Sequence, residues 1–334
     1  MVAAHPAGSS QNSQEVDSGL KVLWQDPGDS SQLDLRFGIG GVEHQPQPPF
    51  QFISEDESGT TPKIFVMDSR GATWNIKWGE EARPSTFATR LAWACGYFAQ
   101  SEYFVASGRI EGVRRLKRGR SNVSDDGAFR SARFQLRNDS PKYLDGRSWT
   151  WKKNPFKDTH ELDGLKILML LVSNWDGKDA RDTIRTADST IRMDSNLAVF
   201  EDHSNGERRY LYLNDDWGAS MGKWGNLISR SKWDCAGFSE QTDKFVRVRE
   251  DGSLKWGFAG KHRDSLTDSI DRSDVAWLLP YLGRITDEQI RSALEGSGAS
   301  PSEIYCFARA LRRRIDQLQM IAAGDLKRIS TGQH

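Results

Sequence analysis

Leu162-Asp163-Gly164-Leu165-Lys166-Ile167-Leu168-Met169-Leu170-Leu171-Val172, followed at once by Ser173-Asn174-Trp175-Asp176-Gly177-Lys178-Asp179, is the stretch on which the fold turns. The almost unbroken apolar run predicts a helix over Glu161–Ser173 that is buried on most sides. It is too short to span a bilayer, which takes about 20 apolar residues. The polar cluster behind it is then a loop held up by a buried helix. Downstream, strands over Leu197–Glu201 and Arg209–Leu213 pair around His203–Gly206 and lead into Asn214-Asp215-Asp216-Trp217-Gly218. The last third reads as helices over Arg272–Leu282, Thr286–Leu294 and Ser300–Met320; the second and third open on a Ser/Thr cap with an acid in the first turn.

Upstream of the apolar run the pattern changes to period two. Phe50–Ser54, Lys63–Asp68 and Thr73–Trp78 read as an antiparallel meander. Pro84 then opens a packed helix over Ser85–Phe98, with Gly96 near its end. Strands over Tyr103–Ala106 and Ala132–Leu136 complete this half. Residues 1–19 read as a disordered tail, 20–140 as a β-rich lobe with one helix, 141–323 as a mainly helical lobe with a β-hairpin, and 324–334 as a flexible tail.

The 334 residues carry 46 Lys+Arg against 46 Asp+Glu, a formal charge of zero that argues against wholesale coating of nucleic acid. A hydrophobic fraction of 37% with 12 Trp and 15 Phe supplies a large core and argues against global disorder. No stretch suits a membrane span. Met1–Gln14 lacks a basic and then apolar leader, so the cytoplasm is the default compartment, with a trimmed exported protein as the alternative. Three cysteines at spacings of 140 and 71 residues exclude a disulfide scaffold and a zinc finger.

Three features carry chemistry. Ser58-Gly59-Thr60-Thr61-Pro62-Lys63 is a small-residue turn between strands, suited to backbone N–H groups approaching an anion. In Trp74-Asn75-Ile76-Lys77-Trp78, alternation puts Lys77 on one face with Asn75 and the apolar residues on the other, so the lysine is either solvated or aimed into a cleft at phosphates. Asp176 after the buried helix and Asp216 after the hairpin offer one carboxylate to orient an acceptor and another to hold Mg²⁺.

These motifs resemble the HipA-like branch of the protein-kinase superfamily over roughly residues 50–320. Ser58 to Lys63 looks like that family's phosphate loop, Lys77 like its nucleotide lysine, and Phe87 to Gly96, ending Ala92-Trp93-Ala94-Cys95-Gly96, like its first helix. Asp176-Gly177 looks like its catalytic loop and Asp216-Trp217-Gly218 like the kinase metal-binding Asp-Phe-Gly. Asn174 to Asp179 also resembles an Asn-Trp-Asp-x-Lys-Asp loop of uncharacterised bacterial proteins. The resemblance implies an α+β, bilobal protein-kinase-like fold with a β-rich N-lobe and a helical C-lobe. It implies ATP with Mg²⁺ (or Mn²⁺), cofactor-binding Ser58, Gly59, Thr60, Lys63 and Lys77, catalytic Asp176 and Lys178, and metal-binding Asp216 and Asp179. The acceptor it implies is a protein Ser/Thr hydroxyl or a small molecule. Two positions depart from the pattern. Arg181 stands where kinases place a metal-binding Asn, and an arginine has no acceptor atom for a metal. Ser85 stands where the helix glutamate that pairs with the nucleotide lysine is expected, leaving Glu80 or Glu81 to substitute, and Asp179 or Asp182 for the metal. A nucleotide-binding pseudokinase is therefore the alternative.

Other features compete. Arg109–Arg120 is a basic run without aromatic interleaving and reads as a solvated loop before a nucleic-acid site. Lys261-His262-Arg263 is a compact cationic spot, an exposed turn or a neighbour of the acceptor. The amphipathic last helix packs inward without needing a membrane or partner. The tryptophans fill cores in both halves rather than forming a sugar platform.

Overall fold

The chain was analysed as a computed structural model that describes residues 19–57, 61–113, 115–137, 141–185, 191–193, 195–225 and 230–324. In chain order the elements are β1 (Leu20–Val22), β2 (Phe50–Asp56), β3 (Lys63–Met67), β4 (Thr73–Trp78), α1 (Ala82–Ala94), β5 (Glu102–Glu111), β6 (Ala128–Arg137), β7 (Lys142–Ser148) and α2 (His160–Leu171). There follow β8 (Thr183–Arg185), β9 (Ile191–Met193), β10 (Leu197–Asp202), β11 (Arg209–Asn214), α3 (Cys235–Glu240), β12 (Val246–Val248), β13 (Leu254–Trp256), α4 (Arg263–Thr267), α5 (Arg272–Leu282), α6 (Asp287–Gly296) and α7 (Pro301–Ala323).

Period-two alternation dictates the first lobe. Trp74 and Ile76 are fully buried, and with Phe50, Ile64, Val66, Tyr103, Phe129 and Phe134 they fill a closed barrel of strand order β2-β3-β4-β6-β5. The barrel is sealed where β2 pairs in parallel with β5, Phe50 opposite Ile110. Thr73, Asn75 and Lys77 then project outward. Register sets Lys77 directly across from Lys63 on one side and Arg133 on the other.

The helical lobe is organised around α2, which Thr159 caps by accepting the Leu162 N–H. Leu165, Leu168, Leu170 and Leu171 are at most 1% exposed, each burial contributing about 1.5–3 kcal/mol. Beneath the C-terminal end of α2, Arg314 of α7 donates to the carbonyls of Leu171 and Phe238 at 2.8 Å and to Ser173 Oγ at 2.8 Å, with its guanidinium 3.7 Å from the Phe238 ring centroid. These bonds take up carbonyls that a helix end leaves without partners. A sheet of order β1-β11-β10-β7 roofs the lobe. Its lower face (Leu197, Val199, Tyr210) joins the helical core, and its upper face (Ala198, Phe200, Leu211, Leu213) forms a separate apolar cluster.

The architecture is α+β and bilobal: the barrel strands with α1 among them, then the buried helix α2, its polar loop, the β10–β11 hairpin, the Asp216-Trp217-Gly218 turn and the C-terminal helices. Two features depart from the sequence reading. Residues 20–36, assigned above to the β-rich lobe, run along the helical lobe, whereas 37–44 lie against the barrel, with Phe37 packed on its core and Tyr103 Oη donating to the Gly41 carbonyl at 2.9 Å. β1 pairs with β11, Leu23 and Leu35 lie in the helical core, and Ser30 Oγ donates to Tyr281 O at 2.6 Å. Gly96 permits this crossing, at φ +90° and so close to the chain that a Cβ would meet Gln25 O at 2.4 Å. Second, Cys235 and Cys306 form a disulfide between α3 and α7, leaving Cys95 free and buried. The expected tails lie outside the described residues, except Gly19 and the helix-capping Gly324.

Candidate functional site

Charged side chains of both lobes meet where β4, the loop after α2 and the turn after β11 come together. From the barrel side comes Lys77, half-buried at the end of β4. No hydrogen bond or ion pair engages it among the described residues, yet it lies in the fields of Asp216, Glu81 and Asp215. Burial first, and Arg133 next, pull its pKa below the usual lysine value. Arg133 has its own partner: its Nη1 donates to Glu102 Oε1 at 2.9 Å and to Ser85 Oγ at 3.1 Å, and Ser85 Oγ donates to Glu102 Oε2 at 2.7 Å. The acid beside Ser85 is thus supplied by β5, not by α1, and its ion pair is made to Arg133.

Asp216 enters from the other side, two residues beyond β11. Burial would raise its pKa, but Lys77, the Gly218 N–H at 2.8 Å, Arg133 and Lys178 more than offset it and hold the carboxyl below the ordinary aspartate value. Its neighbour Asp215 moves the opposite way, to about 6, chiefly by burial, although Gln100 donates to it. The backbone here is pinned twice, since the side-chain amides of Asn174 and Asn214 both donate to the Asp216 carbonyl, at 3.1 and 3.0 Å. The loop after α2 and the Asp-Trp-Gly turn are therefore tied together through Asn174.

Asp176 sits in that loop between two lysines. Lys261 Nζ is 3.0 Å from Oδ1 as an ion pair without hydrogen-bond alignment, and Lys178 Nζ is 3.5 Å from Oδ2. Oδ1 is buried and accepts no hydrogen bond among the described residues. Lys178 contributes to the fields of both Asp176 and Asp216, and its N–H donates to the Asp176 carbonyl at 2.8 Å. Asp179 has partners of its own. It is fully buried, with both oxygens held by the Arg181 guanidinium at 2.6–3.0 Å and Oδ2 also accepting the Trp151 N–H at 3.2 Å. Asp182 and His262 bond each other at 2.5 Å beside it.

Glu81, just before α1, reaches across the cleft. It accepts Lys232 Nζ at 2.6 Å and Thr61 Oγ1 at 3.3 Å, and packs so near Gly218 that a Cβ there would lie 2.9 Å from Glu81 Cβ. Lys232 and Arg230 both lie over the Trp175 ring, at 5.6 and 5.5 Å. Lys63 is paired with Asp56 at 2.8 Å, whereas Ser58, Gly59 and Thr60 lie outside the described residues.

The structure thus brings Lys77, Asp216, Asp176 and Lys178 together and leaves Asp179 and Lys63 in pairs of their own. Sequence reasoning missed Arg133, Glu102, Asp215 and Lys232. Arg133 had a signal, as the one cation in the alternating strand Ala132–Leu136. The donor set suits a nucleotide with a divalent cation: a lysine without a direct partner, a carboxylate held ionised, and a buried carboxylate oxygen without a donor.

No protein-family model and no curated protein matches the chain. Among solved structures it is similar to the Golgi casein kinase, at 11% identity and a TM-score of 0.41 over 90% of this chain and 77% of that one. It is similar to the same kinase with Mn/ADP bound, at 11% identity and 0.40 over 83% and 72%. The Rio2 kinase–ADP/Mg²⁺–phosphoaspartate complex from Chaetomium thermophilum follows at 9% identity and 0.27 over 80% and 72%.

Proposed function

We propose that the chain binds ATP with Mg²⁺ or Mn²⁺ between its lobes and passes the terminal phosphoryl group to an acceptor hydroxyl, of a protein Ser or Thr in the first instance. The observation that carries this reading is the convergence of Lys77 and Asp216, 139 positions apart in the sequence, each felt in the other's ionisation. Lys77 and Arg133 would meet phosphate oxygens. Asp216 would hold the cation, with Asp215 beside it as a second carboxylate in the same field. The cation, when bound, neutralises charge on the transferring group. Asp176 would accept a hydrogen bond from the acceptor hydroxyl and take its proton, and Lys178 and Lys261 would steady it. Such catalysis is positioning and electrostatics.

One observation favours the pseudokinase reading. Arg181 holds both oxygens of Asp179, and His262 is bonded to Asp182, so both carboxylates that could replace the missing metal-binding Asn already have partners. Labelling with [γ-³²P]ATP and Mn²⁺ separates the two. An active kinase labels itself or casein, loses labelling in Asp176→Ala, and loses the ADP·Mn²⁺ thermal shift in Lys77→Ala. A shift without any labelling supports the pseudokinase. No shift at all removes both. The Cys235–Cys306 disulfide supports the exported alternative, since such bonds persist in oxidising compartments. Among the described residues no helix is long and apolar enough to cross a membrane.

A further inference from the structure

Away from the cleft, the helical lobe carries a second concavity of about 350 Å³, with Lys152, Arg249, Lys255 and Arg263 around Trp256. Two carboxylates, Asp264 and Asp268, also line it, but neither forms an ion pair with these cations among the described residues. The side chains of Lys152, Lys255 and Arg263 make no hydrogen bond or ion pair among the described residues, and all three are exposed. Arg249 is steadied by Ser253 Oγ at 3.0 Å and by the Leu254 carbonyl at 3.3 Å, which leaves the rest of its guanidinium to a ligand. The chain as a whole is neutral, so this surplus is local.

The pocket's walls are continuous with the proposed acceptor loop. Lys152 follows Trp151, whose Nε1 donates to the Gly177 carbonyl at 3.0 Å and whose N–H donates to Asp179. Arg263 follows Lys261 and His262. The Lys261 N–H donates to the Trp175 carbonyl at 2.8 Å, its ammonium pairs with Asp176, and His262 bonds Asp182. The segments that pin the loop around Asp176 therefore also present the cations.

From this placement we infer that the pocket captures the acidic flank of a polypeptide acceptor, its Glu, Asp or phosphorylated side chains bound by Lys152, Arg249, Lys255 and Arg263 while a nearby hydroxyl is presented to Asp176. Four cations converging on a hollow fit anions carried on separate side chains. A nucleic-acid backbone calls instead for an extended basic stripe. The purpose assigned to the pocket rests on the phosphotransfer reading, but the binding itself does not.

The test uses fluorescence anisotropy on the full chain with a fluorescein-labelled hexaglutamate peptide and its phosphoserine counterpart. Saturable binding is expected, and the double reversal Lys255→Glu/Arg263→Glu should weaken it about tenfold, because two attractions are lost and two repulsions added. Lys255→Gln/Arg263→Gln, which adds no repulsion, should weaken it less and in the same direction. Lys77→Ala should leave peptide affinity within about twofold, because its charge serves the other cleft. The ratio of the two peptide affinities identifies carboxylate or phosphate as the preferred anion. Absence of saturable binding overturns the inference, as does affinity unmoved by either pocket variant. So does a labelled oligo-dT that displaces the peptide and depends on the same residues. Peptide capture without phosphoryl transfer would sustain the pocket and remove the kinase reading; transfer to neutral peptides, indifferent to the pocket variants, would do the reverse.

Discussion

Asp215 and Asp216 are chain neighbours with opposite electrostatic fates, and the difference is one of partners. Asp216 faces Lys77 and the Gly218 N–H, whereas Asp215 is buried with Gln100 as its donor. A carboxyl whose pKa is about 6 in the fold, against 3.8 for the free group, keeps its proton longer in the folded than in the unfolded state. Its contribution to stability therefore falls as pH rises from about 4 to 6 and stays lowered above. The cost at neutral pH is at most about 3 kcal/mol. Asp215→Asn should accordingly raise Tm at pH 7.5 and leave it unchanged near pH 4, a pattern that differential scanning fluorimetry across pH resolves. An equal shift at both pH values would mean that ionisation is not the cause. At this scale the sequence exposed Lys77, Asp176 and Asp216, because each stands in a short local pattern. The Glu102–Arg133 pair was hidden, because it joins β5 to β6 diagonally and only the register of those strands brings the two side chains together.

Among the elements, α3 is six residues long, too short to be stable alone. Asp234 caps it by accepting the Gly237 N–H at 3.1 Å, and the disulfide ties it to α7 across 71 residues of sequence. A crosslink over that span contributes about 4 kcal/mol in the chain-entropy account. Cys235→Ser should therefore lower the urea-unfolding free energy by about 2–4 kcal/mol. Thiol titration of the denatured, unreduced chain should count one free cysteine of the three; a count of three would show the bond absent. The capped helices were legible almost to the residue: Arg272–Leu282 matches α5, and Thr286 and Ser300 cap α6 and α7 with capping boxes. β1, β7, β12 and β13 were not. Three of them are only three residues long, and β7, Lys142–Ser148, is largely exposed and shows no inward alternation.

For the molecule as a whole, α1 belongs to both lobes. Phe87, Ala88 and Leu91 lie in the helical-lobe core, while Ser85 faces the barrel's Glu102 and Arg133. Arg90, 3% exposed, reaches from α1 to the Ala293 carbonyl at 3.2 Å and to Ser297 Oγ at 3.3 Å. The lobes should therefore unfold together. Circular dichroism and tryptophan fluorescence should trace one coincident urea transition, and Arg90→Ala should destabilise it by several kcal/mol, as losing one partner of a buried polar network does. Two separated transitions in the native chain would count against a shared core. The barrel closure has a further effect. Because β2 and β5 zip together at Phe50–Gln51 and Ile110–Glu111, the upper lobe has no open strand hem along that seam. The four-stranded sheet, by contrast, keeps two selvedges among the described residues, β1 and β7, to which another polypeptide could be added.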